Sequence, residues 1–242
     1  MLKLMIIRAA ALSFWTAAGG RGRFGEPVDV ERAATSSLPV AVHRVPNLTS
    51  ASLVDVLKNF GIATTDAGTD RALRGFLIAD VGVALILIDN NDPIPEQRVT
   101  IAHEIAHFLL HYDAPRRHAL SLFGDRILPV LDRTRPATRS ELFSAALRDV
   151  PIAPFRHALL RSRHGATGRV AVMEAEADEF ALELLAPYEL LRKMASNVEA
   201  ISSRFGIPED CAIRLVEKAC TATTTIGVES LFGIGTKQSR RS

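Results

Sequence analysis

Residues 100–113 read T-I-A-H-E-I-A-H-F-L-L-H-Y-D, and they decide how the rest of the chain is read. His103 and His107 are four apart, so one helical turn brings both imidazoles to one face. Two neutral imidazoles on one face supply half of a tetrahedral zinc site. Glu104 stands about 100° further round the helix wheel, where it reaches a water at the metal without being a ligand. That is the arrangement of a zinc hydrolase with Glu104 as general base. The pattern fixes only three positions, and a helix with two partly exposed histidines and a solvated glutamate also satisfies it. The flanking residues argue for the metal. Ile101, Ile105, Ala106, Phe108, Leu109 and Leu110 make the helix apolar, and a His-Glu-His face in it is costly to bury unless an ion compensates the desolvation. Pro93 and Pro95 exclude a regular helix much further upstream, so the helix starts at Thr100 or shortly before. The Asp113-Ala114-Pro115 stretch is expected to end it.

A third ligand is expected from residues 173–187, M-E-A-E-A-D-E-F-A-L-E-L-L-A-P. Ala177, Phe180, Ala181, Leu184 and Leu185 give this segment the apolar face of a second helix, with Pro187 near its end. Glu174 and Asp178 are one turn apart on one side. A carboxylate there can bind zinc while the Asp one turn later takes the N–H of a ligating imidazole and fixes its tautomer. Glu176 competes for the ligand role, but it lies roughly 200° from Glu174 on the wheel, so both cannot face one metal. Glu174 is preferred because only it has an Asp at the right offset. An acidic first turn favoured by the helix dipole would also explain the acids, though not their pairing with H-E-x-x-H.

Taken together, H-E-I-A-H-F-L-L-H at 103–111 and E-A-E-A-D-E-F-A-L-E-L-L-A-P at 174–187 resemble the ImmA/IrrE-type metallopeptidase domain. In that family a zinc helix carries H-E-x-x-H, and a later helix carries an acidic residue ahead of an F-A-x-x-L-L-x-P-like stretch. The resemblance covers roughly residues 40–215. It implies zinc held by His103, His107 and Glu174, with Glu104 as the base in a gluzincin-like mechanism. In some members it also implies cleavage of helix-turn-helix repressors. This chain departs from a compact member in the 66 residues between His107 and Glu174, which imply an insertion. No helix-turn-helix domain is evident.

Composition fits a cytoplasmic enzyme. With 29 basic and 27 acidic residues the net charge is only +2, which does not announce nucleic-acid binding. Cys211 and Cys220 form neither a metal-ligand spacing nor a disulfide framework, and reduced thiols are expected. Residues 1–18 superficially resemble a secretory signal, but Arg8 interrupts the apolar stretch. A short amphipathic helix packed on the body is the preferred reading. No segment reaches the length of a membrane span.

The expected fold class is α+β, a small three-stranded antiparallel sheet packed with a mainly helical zinc-peptidase body. Its strands are Val40–Val45, Gly75–Ala79 and Val83–Ile88, the last covered on both faces because Ile86, Leu87 and Ile88 follow one another. Gly19–Gly25 reads as a flexible connection, and Pro27 as the start of a short helix. Thr49 or Ser50 caps a helix running to Phe60 and stopped by Gly61. Asp89-Asn90-Asn91-Asp92-Pro93 lacks the pattern of a calcium loop and reads as a turn. Beyond the zinc helix, Leu120–Leu131 is expected as a helix bent at Pro129, and Phe155–Arg163 as another. Thr138-Arg139-Ser140-Glu141 is a capping box starting a helix through Leu147. Arg161–Arg169 reads as a solvated basic loop. Helices are expected at Tyr188–Met194, Val198–Phe205 and Glu209–Cys220, and the last ten residues as disordered. The domain expectation is an N-terminal extension and linker at 1–39, a metallopeptidase domain at 40–220 with an insertion near 116–170, and a tail at 221–242.

On this reading Glu104 takes a proton from the attacking water and delivers it to the departing nitrogen. His111, one turn beyond His107, is a candidate oxyanion donor. His118, His157 and His164 are weaker candidates. The expected function is a zinc endopeptidase with a specific protein substrate, a helix-turn-helix repressor being one possibility. The alternative is a non-catalytic zinc-binding regulator acting through protein–protein interaction. A peptidase-like toxin or antitoxin partner is a third. Intact Glu104 favours the first, because a binding-only site has no need of a base.

Overall fold

Three consecutive apolar residues, Ile86, Leu87 and Ile88, must point alternately to opposite sides of a strand, so both sides need a cover. The computed structural model, which describes residues 2–59, 69–152, 155–160, 167–192, 194 and 197–218, supplies one on each face. The chain begins with α1 (Leu2–Ala17), a 3-10 turn at Arg21–Phe24, α2 (Val30–Ser37), β1 (Val40–Val45) and α3 (Ser50–Asn59). There follow β2 (Leu73–Asp80), β3 (Val83–Asp89) and the motif helix α4 (Ile94–Ala106). Leu77 and Ala79 of β2 and Ala84, Ile86 and Ile88 of β3 share one core with Ile101, Ala102, Ile105 and Ala106 of α4. The alternate residues Phe76, Ile78 and Leu87 share a second core with Leu53 and Leu57 of α3. The result is a layer of α3, a sheet, and a helical layer carrying the motif, which is an α+β arrangement.

Among the described residues the sheet is mixed and four-stranded, in the order β1-β3-β2-β4, where the sequence predicts three antiparallel strands. β2 and β3 form the expected antiparallel hairpin, but β1 runs parallel to β3, Val42 opposite Ile86. The fourth strand, β4 (Phe155–Leu160), replaces a predicted helix and pairs antiparallel with β2, His157 opposite Leu77. F-R-H-A-L-L is too short for its periodicity to separate helix from strand, and the open edge of β2 decides the matter by offering hydrogen-bond partners. The hairpin turns at Val81 and Gly82, both at positive φ, as a two-residue type I′ loop requires. The Tyr112 hydroxyl accepts the Gly82 N–H at 2.7 Å and ties this turn to the end of the motif helix.

That helix does not stop at Pro115. α4 passes into a seven-residue π-helix, His107–Asp113, and then into α5 (Ala114–Phe123) with Pro115 in its first turn. The Ala114 N–H reaches back five residues to the Leu109 carbonyl. This wider turn relieves the clash that a proline makes with a regular preceding turn, so the chain continues where the sequence predicts a break. The predicted helix 120–131 breaks at Gly124, at φ 66°, rather than bending at Pro129. A 3-10 turn at Asp125–Ile127 leads to α6 (Leu128–Leu131), and Pro129 sits in the first turn of α6. α7 (Arg139–Leu147) carries the predicted capping box: Thr138 Oγ1 accepts the Glu141 N–H at 3.2 Å, and Glu141 accepts the Thr138 N–H at 2.8 Å.

The second motif lies on α8 (Gly168–Leu185), which starts five residues earlier than its apolar face implies. Ala177, Phe180, Ala181, Leu184 and Leu185 join the core beneath α4. α1 packs on α8, as expected of a helix on the body, and buries Ile7, Ala11, Phe14 and Trp15, but it is not the amphipathic helix the sequence predicts, because Met5, Ile6 and Leu12 are exposed. The chain continues through α9 (Tyr188–Leu191), α10 (Val198–Phe205) and α11 (209–218). The Arg98 guanidinium of α4 donates to the carbonyls of Phe205 and Gly206, holding the end of α10 against the motif helix. Phe60, Gly61, Cys220, most of the basic loop at 161–169 and the last ten residues lie outside the described residues. No helix among the described residues is long and apolar enough to cross a membrane.

Candidate metal centre

α4 and α8 cross so that the two sequence motifs face each other. His103 Nε2 and His107 Nε2 are 3.0 Å apart. Glu174 Oε2 lies 3.5 Å from the first and Glu174 Oε1 3.5 Å from the second. Ligand atoms at about 2.0–2.1 Å from a tetrahedral zinc are spaced by about 3.3 Å, so these three donors outline one face of such a site. His103, Glu104 and His107 are fully buried.

The other nitrogen of each imidazole is already committed. His103 Nδ1 is 3.0 Å from Asp178 Oδ1. His107 Nδ1 is 2.9 Å from His111 Nδ1, and His111 Nε2 is 3.2 Å from Glu176 Oε2. Tautomers follow from these partners. Asp178 takes the Nδ1–H of His103. Glu176 takes the Nε2–H of His111, which leaves His111 Nδ1 to accept from His107. Both Nε2 atoms then face each other with lone pairs, an arrangement that calls for a cation between them. The residues therefore fit zinc: two neutral imidazoles and a carboxylate converge, each imidazole oriented from behind.

The sequence-preferred Glu174 is thus the carboxylate beside the two histidines, and Glu176 reaches His111 instead. Asp178 stands behind His103. The π-helix sets His111 Nδ1 against His107 Nδ1 and His111 Nε2 against Glu176. His118 is exposed, and His164 lies outside the described residues. His157, the weaker candidate from the sequence, enters the centre from β4. Its Nε2 is 2.6 Å from Glu174 Oε1 and its Nδ1 is 3.0 Å from Glu104 Oε2. Its ring stacks on His107 with centroids 3.7 Å apart. Among the described residues, donor atoms of His103, His107, His157 and Glu174 all lie within 4.8 Å of one another. The only sequence signal for His157 is a lone histidine within an apolar run.

The electrostatics are those of a site that wants a cation. Burial pushes the His107 imidazole down to about 4, against the pull of Glu174. Burial also opposes the proton on His157, but the carboxylates of Glu104 and Glu174 overcome it and push the group up to about 9. For His103, burial is likewise overcome by Asp178 and Glu174, and the pKa rises. Burial raises Glu174, but the three histidines outweigh it and hold the carboxyl far below its ordinary range. Without metal, a proton on His157 stands in for the missing charge between the two carboxylates.

Glu104 owes its place to Gly75 of β2. A Cβ there would stand 2.6 Å from Thr100 Cγ2 and 3.1 Å from Glu104 Oε1. Glu104 Oε1 is buried without a hydrogen-bond partner among the described residues, as expected of a group kept for a water or a ligand. Gly75→Ala should destabilise the metal-free protein by about 1–3 kcal/mol through overpacking, read from its denaturant midpoint. Thr100→Ser removes the nearer clashing methyl and should recover part of that loss. An unchanged midpoint in Gly75→Ala would show that α4 is not seated on this glycine.

No curated relative matches the chain at a significant level. Residues 58–167 match the family model Peptidase_M78, described as the IrrE N-terminal-like domain. That segment contains His103, Glu104, His107 and His157 and ends before Glu174, so α8 enters the site by its sequence motif and its geometry rather than by the family match. The motif helix on its sheet, the converging histidines and the family match agree: residues 58–167 of this chain are similar to the IrrE N-terminal-like domain of the Peptidase_M78 model.

Proposed function

We propose that this protein is a zinc-dependent endopeptidase that hydrolyses a peptide bond in a specific protein substrate. The first candidate is a helix-turn-helix transcriptional repressor. The observation that carries the reading is Glu104, buried with an unengaged oxygen beside the converging donors His103, His107 and Glu174. These three side chains would hold the metal. When bound, zinc supplies a Lewis acid for the scissile carbonyl and makes water acidic enough to attack near neutral pH. Glu104 accepts the proton of the attacking water and returns it to the departing nitrogen. Asp178 and the His111–Glu176 pair keep the two helix imidazoles in the tautomer that offers Nε2. Next to His111 a cleft of about 220 Å³, lined also by Tyr112 and Met173, offers room for a substrate side chain.

A second reading, a zinc-binding regulator without turnover, is favoured by one observation. His157 already engages both Glu104 and Glu174, the groups that hydrolysis needs. Incubation of zinc-loaded protein with a repressor encoded beside its gene separates the two. The His157→Ala form should be run in parallel. The peptidase reading expects a discrete cut by at least one of them, abolished by a zinc chelator and restored by added zinc. Tight binding without cleavage by either form would establish the regulator instead. Cleavage that survives chelation would overturn the metal mechanism.

A further inference from the structure

We propose that His157, on edge strand β4, is a fourth metal ligand that closes the centre at rest. The inference rests on the metal reading above and adds a statement about its resting state. All three histidines of the centre are built alike. Each directs Nε2 inward and commits Nδ1 to a partner behind: Asp178 for His103, His111 for His107, and Glu104 for His157. Ligating histidines have this construction, with the second ring nitrogen bonded to a carboxylate or another acceptor that fixes the tautomer. His157 Nε2 sits at hydrogen-bond distance from Glu174 Oε1, on the same small set of donor atoms, and its ring lies flat on His107.

A structural zinc site fills all four positions with protein, whereas a catalytic one leaves the fourth to water or substrate. With His157 inward, the fourth position is filled. Glu104 meets His157 through Oε2 only, and its Oε1 stays unengaged among the described residues. His157 therefore withholds the place of the attacking water while leaving the second oxygen of the base in position. The strand that carries it is suited to leaving. Among the described residues β4 is the outermost strand of the sheet and is paired on one side only, with β2. His103, His107 and Glu174, by contrast, stand on two helices packed through the main core. Three ligands are thus fixed and one is displaceable.

Cobalt(II) in place of zinc provides the test, since its absorption spectrum reports ligand type and number. His157→Cys puts a thiolate at the position in question. Cobalt-loaded His157→Cys should gain a sulfur-to-cobalt charge-transfer band in the near ultraviolet. Wild type, which keeps Cys211 and Cys220, should show none. His157→Ala should bind zinc more weakly in a chelator competition, by at least the roughly 10–100-fold that losing an outer partner of a ligand costs. Its cobalt form should bind acetohydroxamate at least about tenfold more tightly than wild type, because the fourth position is then open. Cobalt-loaded His157→Cys without the band, or equal hydroxamate affinity in wild type and His157→Ala, would overturn the proposal and leave His157 as a bridge between two carboxylates. If wild type and both variants all fail to bind cobalt or zinc, the metal reading itself falls, which is a different outcome from either.

Discussion

Glu104→Gln should keep its metal and lose peptide cleavage by a factor of roughly 10² or more, the scale of losing a general base. That factor corresponds to at least about 2.7 kcal/mol of transition-state stabilisation. The substitution is conservative in every respect but one. Glutamine has the same length, is also a good helix former, and fits the space that Gly75 leaves. Its amide oxygen can still accept from His157 Nδ1, as Glu104 Oε2 does at 3.0 Å. What it lacks is a second oxygen able to take a proton. The ligands His103, His107 and Glu174 are untouched, so metal analysis should return the wild-type zinc content. Because His157 engages Glu104, the comparison should be made in the wild-type background and again with His157→Ala. Equal cutting by the Glu and Gln forms in both backgrounds would point to a contaminating protease and remove Glu104 from the mechanism.

What the sequence discloses and what it hides divide along a physical line. Features set by local spacing are legible. The four-residue offset of His103 and His107 puts them on one helix face, and the same offset places Glu174 and Asp178 on one side of α8. The Thr138–Glu141 capping box starts α7 at the expected residue. The succession Ile86, Leu87, Ile88 implies a strand covered on both faces, and the two cores bear this out. Features settled by contacts distant in sequence are not legible. β1 pairs parallel with β3, and the intervening β2 takes the other side of β3, a choice that no residue of β1 encodes by itself. β4 pairs with a strand about eighty residues earlier, and six residues of mixed apolar character cannot announce that partner. His157 is hidden for the same reason, since its role exists only once β4 has found the edge of β2.

The π-helix is a second kind of illegibility. His111 lies four residues after His107, so regular helical geometry would stack it along the same side, where it reads as a candidate for the oxyanion. The wider turns of His107–Asp113 instead set His111 Nδ1 against His107 Nδ1. His111 thereby stands between Glu176 and His107, and Glu176, the rejected alternative to Glu174, acquires a place of its own.

The two acids on α8 should therefore behave very differently when removed. Glu174→Ala deletes the carboxylate that stands 3.5 Å from both helix imidazoles, and it should lose most of its zinc. Glu176→Ala deletes a group two steps from the metal, acting through His111 and His107. Zinc stoichiometry should survive, with an affinity loss at the lower end of the 10–100-fold range for outer partners of a ligand, about tenfold or less. Asp178→Ala, one step from His103, should fall between them. Thermal melting with and without zinc reads the same order. A metal that binds only the folded state at a hundred times its dissociation constant stabilises by about 2.7 kcal/mol, so wild type and Glu176→Ala should both melt higher with zinc. Glu174→Ala should show almost no shift. All three α8 substitutions leave the apolar face of Ala177, Phe180, Ala181, Leu184 and Leu185 intact, so a general loss of folding is not expected to confuse the comparison. The reverse result, with zinc kept by Glu174→Ala and lost by Glu176→Ala, would transfer the ligand role to Glu176 and require α8 to be rotated relative to α4.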